Sequence, residues 1–383
     1  MTQTQALMQF SERPPPTMVR GEGIYLWDEQ DRRYLDLVQG WAVNCLGHSP
    51  RVIADALAAQ ATRVLNVGPA YHNQPAHWLA TRLSALSGLS RVCFACSGAE
   101  ANEVALKLAR KWGQLHRSGA FEVLTTRDSF HGRTLALTSA TGKASFEGAF
   151  PPAVPGFRKV PYDDLEAMEA AISGDTVAVM VEPIQGEAGV VVPTPGYLRG
   201  LRALCDRKGI LLIADEIQTG MGRTGPLFAH QSEAVRPDIM TLGKGLGAGV
   251  PVSALLCRAE LDCFAPGDHG GTFAGHALLC SVGLAVVEAL TEPGAALERE
   301  RTAQAFEQLL HRLAAKHGLG VRGRGFLWAL VLPQPRAAHV RDKAFERGLL
   351  LNAARPDVLR LMPPLNLERA QLQQIEQLLT AVL

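Results

Sequence analysis

The stretch GILLIADE, Gly209 to Glu216, is a continuous apolar run that closes on two carboxylates. Such a run, without polar alternation, predicts a strand buried on both faces, as in a parallel sheet covered by helices. Three further runs share the pattern: RVCFAC (Arg91 to Cys96), FEVLTT (Phe121 to Thr126) and TVAVMVEP (Thr176 to Pro183). Helical periodicity lies between them. After SGAE, residues Ala101, Val104, Ala105, Leu108 and Trp112 fall on one helical face. Strands alternating with helices define an α/β fold with a mostly parallel sheet. Ahead of it, GIYLWDEQDRRYLDLV reads as a hairpin. Beyond about Gly275, helices and short strands read as a smaller α+β domain, with AHVRDKAFERGLLLN as one helix-to-strand unit.

Composition narrows the chemistry. A chain of 383 residues exceeds one core of ordinary size, so two domains are expected. Lys and Arg number 38 against 37 Asp and Glu, a balance that gives no electrostatic reason for nucleic acid or an anionic membrane as partner. Seven cysteines at irregular spacings fit reduced thiols in a cytoplasmic protein rather than a disulfide framework, and Cys93 and Cys96 lie within an apolar strand. The amino-terminal MTQTQALMQFSERPPP lacks the basic start and apolar core of a signal peptide, and no apolar run has membrane-spanning length. No ligand cluster has metal spacing, so no metal is expected.

In an open sheet of this kind the binding crevice lies beyond the carboxyl ends of the strands. The first strand leads into CSGAEANE, where Ser97 and Glu100 form a capping box and the turn exposes the backbone N–H groups of Gly98 and Ala99 at a positive helix end. The second leads into SFHGRT, an aromatic, an imidazole and a guanidinium on one loop. The third leads to Glu182 and IQGEAG, and the fourth ends in Asp215, with Glu216 and Gln218 following. Further on, MTLGKGLGAGVP places Lys244 among Gly243, Gly245, Gly247 and Gly249. This is not a Walker loop, because Gly245 follows the lysine where Ser or Thr is required. A phosphate cradle, an aromatic plate, a buried carboxylate and a glycine-flanked lysine together meet the needs of pyridoxal 5'-phosphate. Its aldehyde requires an amine, its pyridine nitrogen an anion, its phosphate N–H donors and its ring a flat partner.

Three segments, VEPIQGEAGVVVPTPGYL, LLIADEIQTGMGRTG and PDIMTLGKGLGAG, closely resemble the class III aminotransferases, and the similarity runs from about Gly21 to the carboxyl end. The resemblance implies the fold-type I architecture of pyridoxal-phosphate enzymes, working as a homodimer with its sites at the subunit interface. It implies a large domain over 51–275 and a small domain built from 1–50 with 276–383. Carried over residue by residue, Lys244 is the Schiff-base lysine and Asp215 the partner of the ring nitrogen. Gly98 and Ala99 hold the phosphate, Phe130 stacks on the ring and Gln218 reaches the ring hydroxyl. Thr272, in HGGTFAGHA, completes the phosphate site of the partner subunit, and Gly271 beside it belongs to the substrate site. Arg133 and Arg360 match arginines that bind substrate carboxylates, and Glu187 matches a carboxylate that pairs with Arg360 and releases it for a dicarboxylate.

The family usually carries Asn-Pro where this chain has His276 and Ala277, Asn where it has Cys96, and often Tyr where it has His72. The implied activity moves the terminal amine of N2-acetylornithine to 2-oxoglutarate, giving N-acetylglutamate 5-semialdehyde and glutamate, a step of arginine biosynthesis. Gly40, in VQGWAVN, stands where ornithine-type members carry a tyrosine, and the void it leaves suits an acyl group. Ornithine, succinylornithine and 4-aminobutyrate remain alternative donors, and an inactive cofactor-binding paralogue is the non-enzyme alternative.

Overall fold

The computed structural model describes residues 6–8, 10–11, 13–14 and 16–383. The amino-terminal segment read as leaderless includes residues 1–5, 9, 12 and 15, which lie outside those described. A meander opens the chain: β1 (Met18–Glu22), β2 (Tyr25–Asp28) and β3 (Arg33–Asp36) pair antiparallel. Its turn is fixed by Asp28, whose Oδ1 accepts from the backbone N–H of Gln30 and Arg32.

The central sheet has seven strands: β4 (Arg91–Ala95), β5 (Glu122–Thr126), β6 (Phe157–Val160), β7 (Thr176–Val181), β8 (Leu211–Asp215), β9 (Ile239–Leu242) and β10 (Ser253–Cys257). They lie in the order β4-β10-β9-β8-β7-β5-β6. The pairs among β5 to β9 are parallel, and β10 runs antiparallel to both of its neighbours. The four apolar runs read from the sequence are the strands β4, β5, β7 and β8; β7 and β8 are buried throughout, as their unbroken apolarity requires, whereas β4 begins exposed at Arg91 and β5 half-buried at Glu122. The helix Gly98–His116 packs its face of Ala101, Val104, Ala105 and Leu108 on this sheet.

The carboxyl-terminal part adds β11 (Gly320–Arg324), β12 (Leu327–Val331), β13 (Leu349–Leu350), β14 (Asn352–Arg355) and β15 (Val358–Leu361). Four of these form a separate sheet ordered β11-β12-β15-β14, while β13 pairs parallel with β3 of the opening meander. Residues from both chain ends thus share one sheet. Helices Ala277–Thr291 and Ala295–His317 supply Val286, Val287, Phe306 and Leu310 to the largest core, which also takes in Leu79, Leu242 and Leu361. No single helix among the described residues is long and apolar enough to cross a membrane.

One segment departs from ordinary backbone geometry. Gln39, Gly40, Trp41 and Ala42 all have positive φ, from 48° to 65°, and form a left-handed turn. Such backbone costs an L-residue roughly 1–2 kcal/mol, so the surroundings must hold it. Asp36 does so from below, its Oδ1 accepting from the N–H groups of Val38 and Gln39, and the turn packs against Lys244–Leu246.

Candidate active site

The carboxyl ends of the strands enclose a cavity of about 300 Å³. It is lined by Gly98 and Ala99 beyond β4, Phe130 to Arg133 beyond β5, Glu182 and Glu187 beyond β7, Asp215, Ile217 and Gln218 at the end of β8, and Lys244 beyond β9. Residues scattered over nearly 150 positions meet because parallel strands deliver every carboxyl end to the same edge.

The lysine stands at the head of a 3-10 turn, Lys244–Leu246, with φ of 39°. The surrounding glycines have steric causes. A Cβ on Gly243 would lie 3.4 Å from the Gly98 Cα, so the lysine turn and the helix start are in backbone contact. A Cβ on Gly247 would lie 1.8 Å from the Val250 carbonyl oxygen, which excludes any side chain. Burial lowers the proton affinity of Lys244, while the charges of Glu187 and Asp215 work to raise it.

Asp215 is 3% exposed and gripped by groups from three elements. Its Oδ2 accepts from Asn102 Nδ2 and His131 Nδ1, both at 2.8 Å, and its Oδ1 from the Ile217 N–H at 3.1 Å. The Thr241 hydroxyl donates to Asn102 Oδ1 at 2.7 Å, which turns the amide so that its nitrogen faces the carboxylate. Burial works to lower the His131 proton affinity, but the bond to Asp215 together with the charges of Asp215 and Glu182 outweighs it and the net shift is upward. His131 Nε2 is buried without a partner among the described residues. Sequence reading had the imidazole on its loop without a role, and it missed Asn102 and Thr241 entirely. Asn102 sits on the sheet-facing side of its helix, where a polar residue between Ala101 and Val104 was the available signal.

Glu182 is 5% exposed; its Oε2 accepts from the Phe130 N–H at 3.0 Å, and its carboxyl is pushed up to about 7 by burial and the nearby Asp215 charge. Tyr162 clamps the main chain by donating to the Glu182 and Pro183 carbonyls. Across the cavity, Arg360 on β15 is almost fully buried and paired with Glu187 at 2.7 Å. Its Nη1 also reaches Gln218 Oε1 at 3.3 Å, and its Nε donates to Asn352 Oδ1 at 3.0 Å. Burial would raise the Glu187 carboxyl, but Arg360 prevails and holds it low. Arg133 lines the mouth, while Gly271 and Thr272 lie on an exposed loop that is not part of this cavity wall. Thr272 is tied through its carbonyl to Asn66 Nδ2 at 3.0 Å.

The donor set fits pyridoxal phosphate. At one end Ser97 and Glu100 form the expected capping box, leaving the first helical N–H groups, at Gly98 and Ala99, without intrahelical acceptors and ready for a phosphate. Beside them stand a buried anion, an aromatic face and a buried amine. A wider groove of about 620 Å³, between Pro161–Glu166 and Thr194–Tyr197, has no cation in its lining and no comparable donor set.

A fold and site of this kind define a pyridoxal-phosphate-dependent aminotransferase, and the chain belongs to the class III aminotransferases, whose family model matches residues 8–383. It is 50% identical over 386 residues to acetylornithine aminotransferase 2 of Bordetella bronchiseptica, covering 98% of this chain and 97% of that one. It is 49% identical over 387 residues to acetylornithine aminotransferase of Ralstonia nicotianae, covering 99% and 97%. Among solved structures it resembles ornithine aminotransferase of Toxoplasma gondii, with a TM-score of 0.93 at 34% identity over 99% of this chain and 94% of that one. It also resembles N-acetylornithine aminotransferase of Stenotrophomonas maltophilia, with a TM-score of 0.84 at 34% identity over 99% and 97%.

Proposed function

We propose that the chain transfers the terminal amino group of N2-acetylornithine to 2-oxoglutarate, giving N-acetylglutamate 5-semialdehyde and glutamate, a step of arginine biosynthesis. The observation that carries this reading is the 2.7 Å pair of Glu187 with buried Arg360 in a cavity that holds a second arginine. With Glu187 in place, Arg360 is neutralised and the cavity suits a donor without a second carboxylate. With Glu187 withdrawn, two guanidinium forks await a dicarboxylate. The full-length identity to acetylornithine aminotransferases supports the choice of donor.

Bound pyridoxal phosphate supplies an aldehyde for the amine and a ring that withdraws electrons from the substrate carbon. Lys244 Nζ, deprotonated with the help of burial, takes the proton from that carbon and returns it at the acceptor position. Asp215, oriented by hydrogen bonds from Asn102 and His131, with Thr241 fixing the Asn102 amide, would be the partner of the ring nitrogen. The Gly98 and Ala99 N–H groups would hold the phosphate, Phe130 would cover the ring face and Gln218 would meet the ring hydroxyl. In this reading Thr272 serves the phosphate site of the partner subunit, which agrees with its exposure here, Gly271 beside it serves the substrate site, and the protein is a homodimer. Phe273, in the same loop, and Leu65, next to the Asn66 that bonds the Thr272 carbonyl, are exposed apolar residues that support that assembly. The seven cysteines are all free, in keeping with a cytoplasmic location. We also read 51–275 as the large domain and 1–50 with 276–383 as the small one, supported by the β3–β13 pairing.

The likeness to an ornithine aminotransferase structure favours free ornithine as the second reading. Gly40 weighs against it. The structure leaves it exposed at φ of 61°, outside the lining of the cavity, and the nearest neighbours of a Cβ there would be Asn44 and Val43 atoms at 3.5 Å, so among the described residues no side chain fills the position. If the substrate's far end reaches Gly40, an acyl group can pack there, whereas free ornithine would bring an ammonium with no carboxylate partner. Comparing kcat/KM for N2-acetylornithine, N2-succinylornithine, ornithine and 4-aminobutyrate, with 2-oxoglutarate as acceptor, tests the assignment. The acetylated donor is expected to lead, and ornithine equal to or better than it would reject the proposal.

A further inference from the structure

We infer that Phe146 is the seat that holds the Arg133 guanidinium open to a substrate carboxylate, which makes it a positioning residue for the dicarboxylate acceptor. The inference rests on the proposed reading of Arg133 as a carboxylate-binding residue. Arg133 Cζ lies 5.2 Å from the centroid of the Phe146 ring and 5.5 Å from that of Phe130. The two rings are 6.2 Å apart and inclined at 60°, so the cation stands over both at the cavity mouth.

The two cavity arginines are held by opposite means. Arg360 is neutralised by Glu187 and further bonded to Asn352 and Gln218. Arg133 has no carboxylate within ion-pair distance and no side-chain hydrogen bond among the described residues. An aromatic face attracts a cation through its quadrupole without cancelling the charge. A guanidinium lying over a ring also keeps its N–H donors, which lie in its own plane, for another partner. Contact with the rings and a bidentate grip on a carboxylate are therefore compatible, and loss of the seat leaves a longer search for the fork rather than a freer one.

Phe146 has no competing structural duty. It is half-buried on the 3-10 turn Ala144–Phe146 and belongs to none of the four hydrophobic cores. Lys143 Nζ stands 5.9 Å from the same ring and likewise has no acidic partner at ion-pair distance among the described residues. Two cations without an ion-pair partner among the described residues thus share one ring at the entrance. A dicarboxylic 2-oxo acid gains from that arrangement, whereas a monocarboxylic one has no distal carboxylate to offer it.

The test assays the holoenzyme with 2-oxoglutarate and with pyruvate, comparing Phe146→Leu, Phe146→Tyr and Arg133→Gln with the parent. In Phe146→Leu the KM for 2-oxoglutarate is expected to rise roughly threefold to tenfold, the factor for ordering one long side chain. Its kcat and the KM for pyruvate are expected to stay unchanged, and Phe146→Tyr to restore the parent KM. If Arg133→Gln raises the KM for 2-oxoglutarate and Phe146→Leu does not, the seat is overturned while the reading of Arg133 stands. An equal rise for both acceptors in Phe146→Leu assigns the ring a structural role only and also overturns the inference. If Arg133→Gln leaves the KM for 2-oxoglutarate unchanged, the reading of Arg133 itself fails, and the seat fails with it.

Discussion

Two carboxyl groups a short way apart in one cavity are set to opposite tasks by their surroundings. Asp215 receives charge-assisted bonds from His131, Asn102 and its own turn, whereas Glu182 has one backbone donor and a buried setting. Replacing Asp215 with Asn leaves the shape and removes the charge, so turnover is expected to fall by roughly a hundredfold to a thousandfold or more, the scale for loss of preorganised electrostatic stabilisation. Near-parental turnover would mean that another group faces the ring nitrogen. Glu182 bears on stability. Its carboxyl titrates near 7 in the fold against an ordinary 4.5, so between those values the folded chain holds a proton that the unfolded chain has released. Stability then falls as pH rises through that window and levels off above it, by roughly 3 kcal/mol in all. Glu182→Gln in the cofactor-free chain is expected to escape that loss. Its advantage over the parent in denaturant unfolding should grow between about pH 5 and pH 7, and an advantage independent of pH would mean that Glu182 ionises as it does in water.

At the scale of elements, the site is a set of strand ends and the turns that leave them. Most of this was legible. The apolar runs predicted β4, β5, β7 and β8, the alternation predicted their parallel order, and SGAE announced a helix start whose capping box is present. Legibility failed where chemistry depends on pairs of side chains brought together by folding. His131 and Asp215 are 84 positions apart, and Asn102 and Thr241 are 139 apart, so no local pattern could join them. The left-handed turn Gln39–Ala42 was hidden for another reason, since only Gly40 among its residues favours positive φ and tertiary contacts hold the other three. The antiparallel insertion of β10 also escaped the reading, because a short apolar run does not carry its own direction. The Glu187–Arg360 contact joins the loop after β7 to β15, and its prediction belongs to that junction. Glu187→Ala is expected to slow the donor half-reaction several-fold or more while sparing the 2-oxoglutarate half. Equal losses in single-turnover measurements of both halves would remove the gating role.

For the molecule as a whole, the β3–β13 pairing ties segments from the two halves of the chain into one sheet, and the loop carrying Thr272 is exposed. If that loop completes a neighbour's site, the mass in solution by light scattering is expected to be twice that of the 41.2 kDa chain. Thr272→Ala is then expected to weaken cofactor retention without changing the mass. A monomer of full activity would contradict both the assembly and the shared site. The most direct measurement of the central claim is chemical. The cofactor-loaded protein is reduced with borohydride, digested and mapped by mass spectrometry. The account predicts that the reduced cofactor is fixed to the peptide containing Lys244 and that Lys244→Ala abolishes both the labelling and the transfer of amine to 2-oxoglutarate. Fixation at another lysine, or amine transfer that survives in Lys244→Ala at the parental rate, would contradict it.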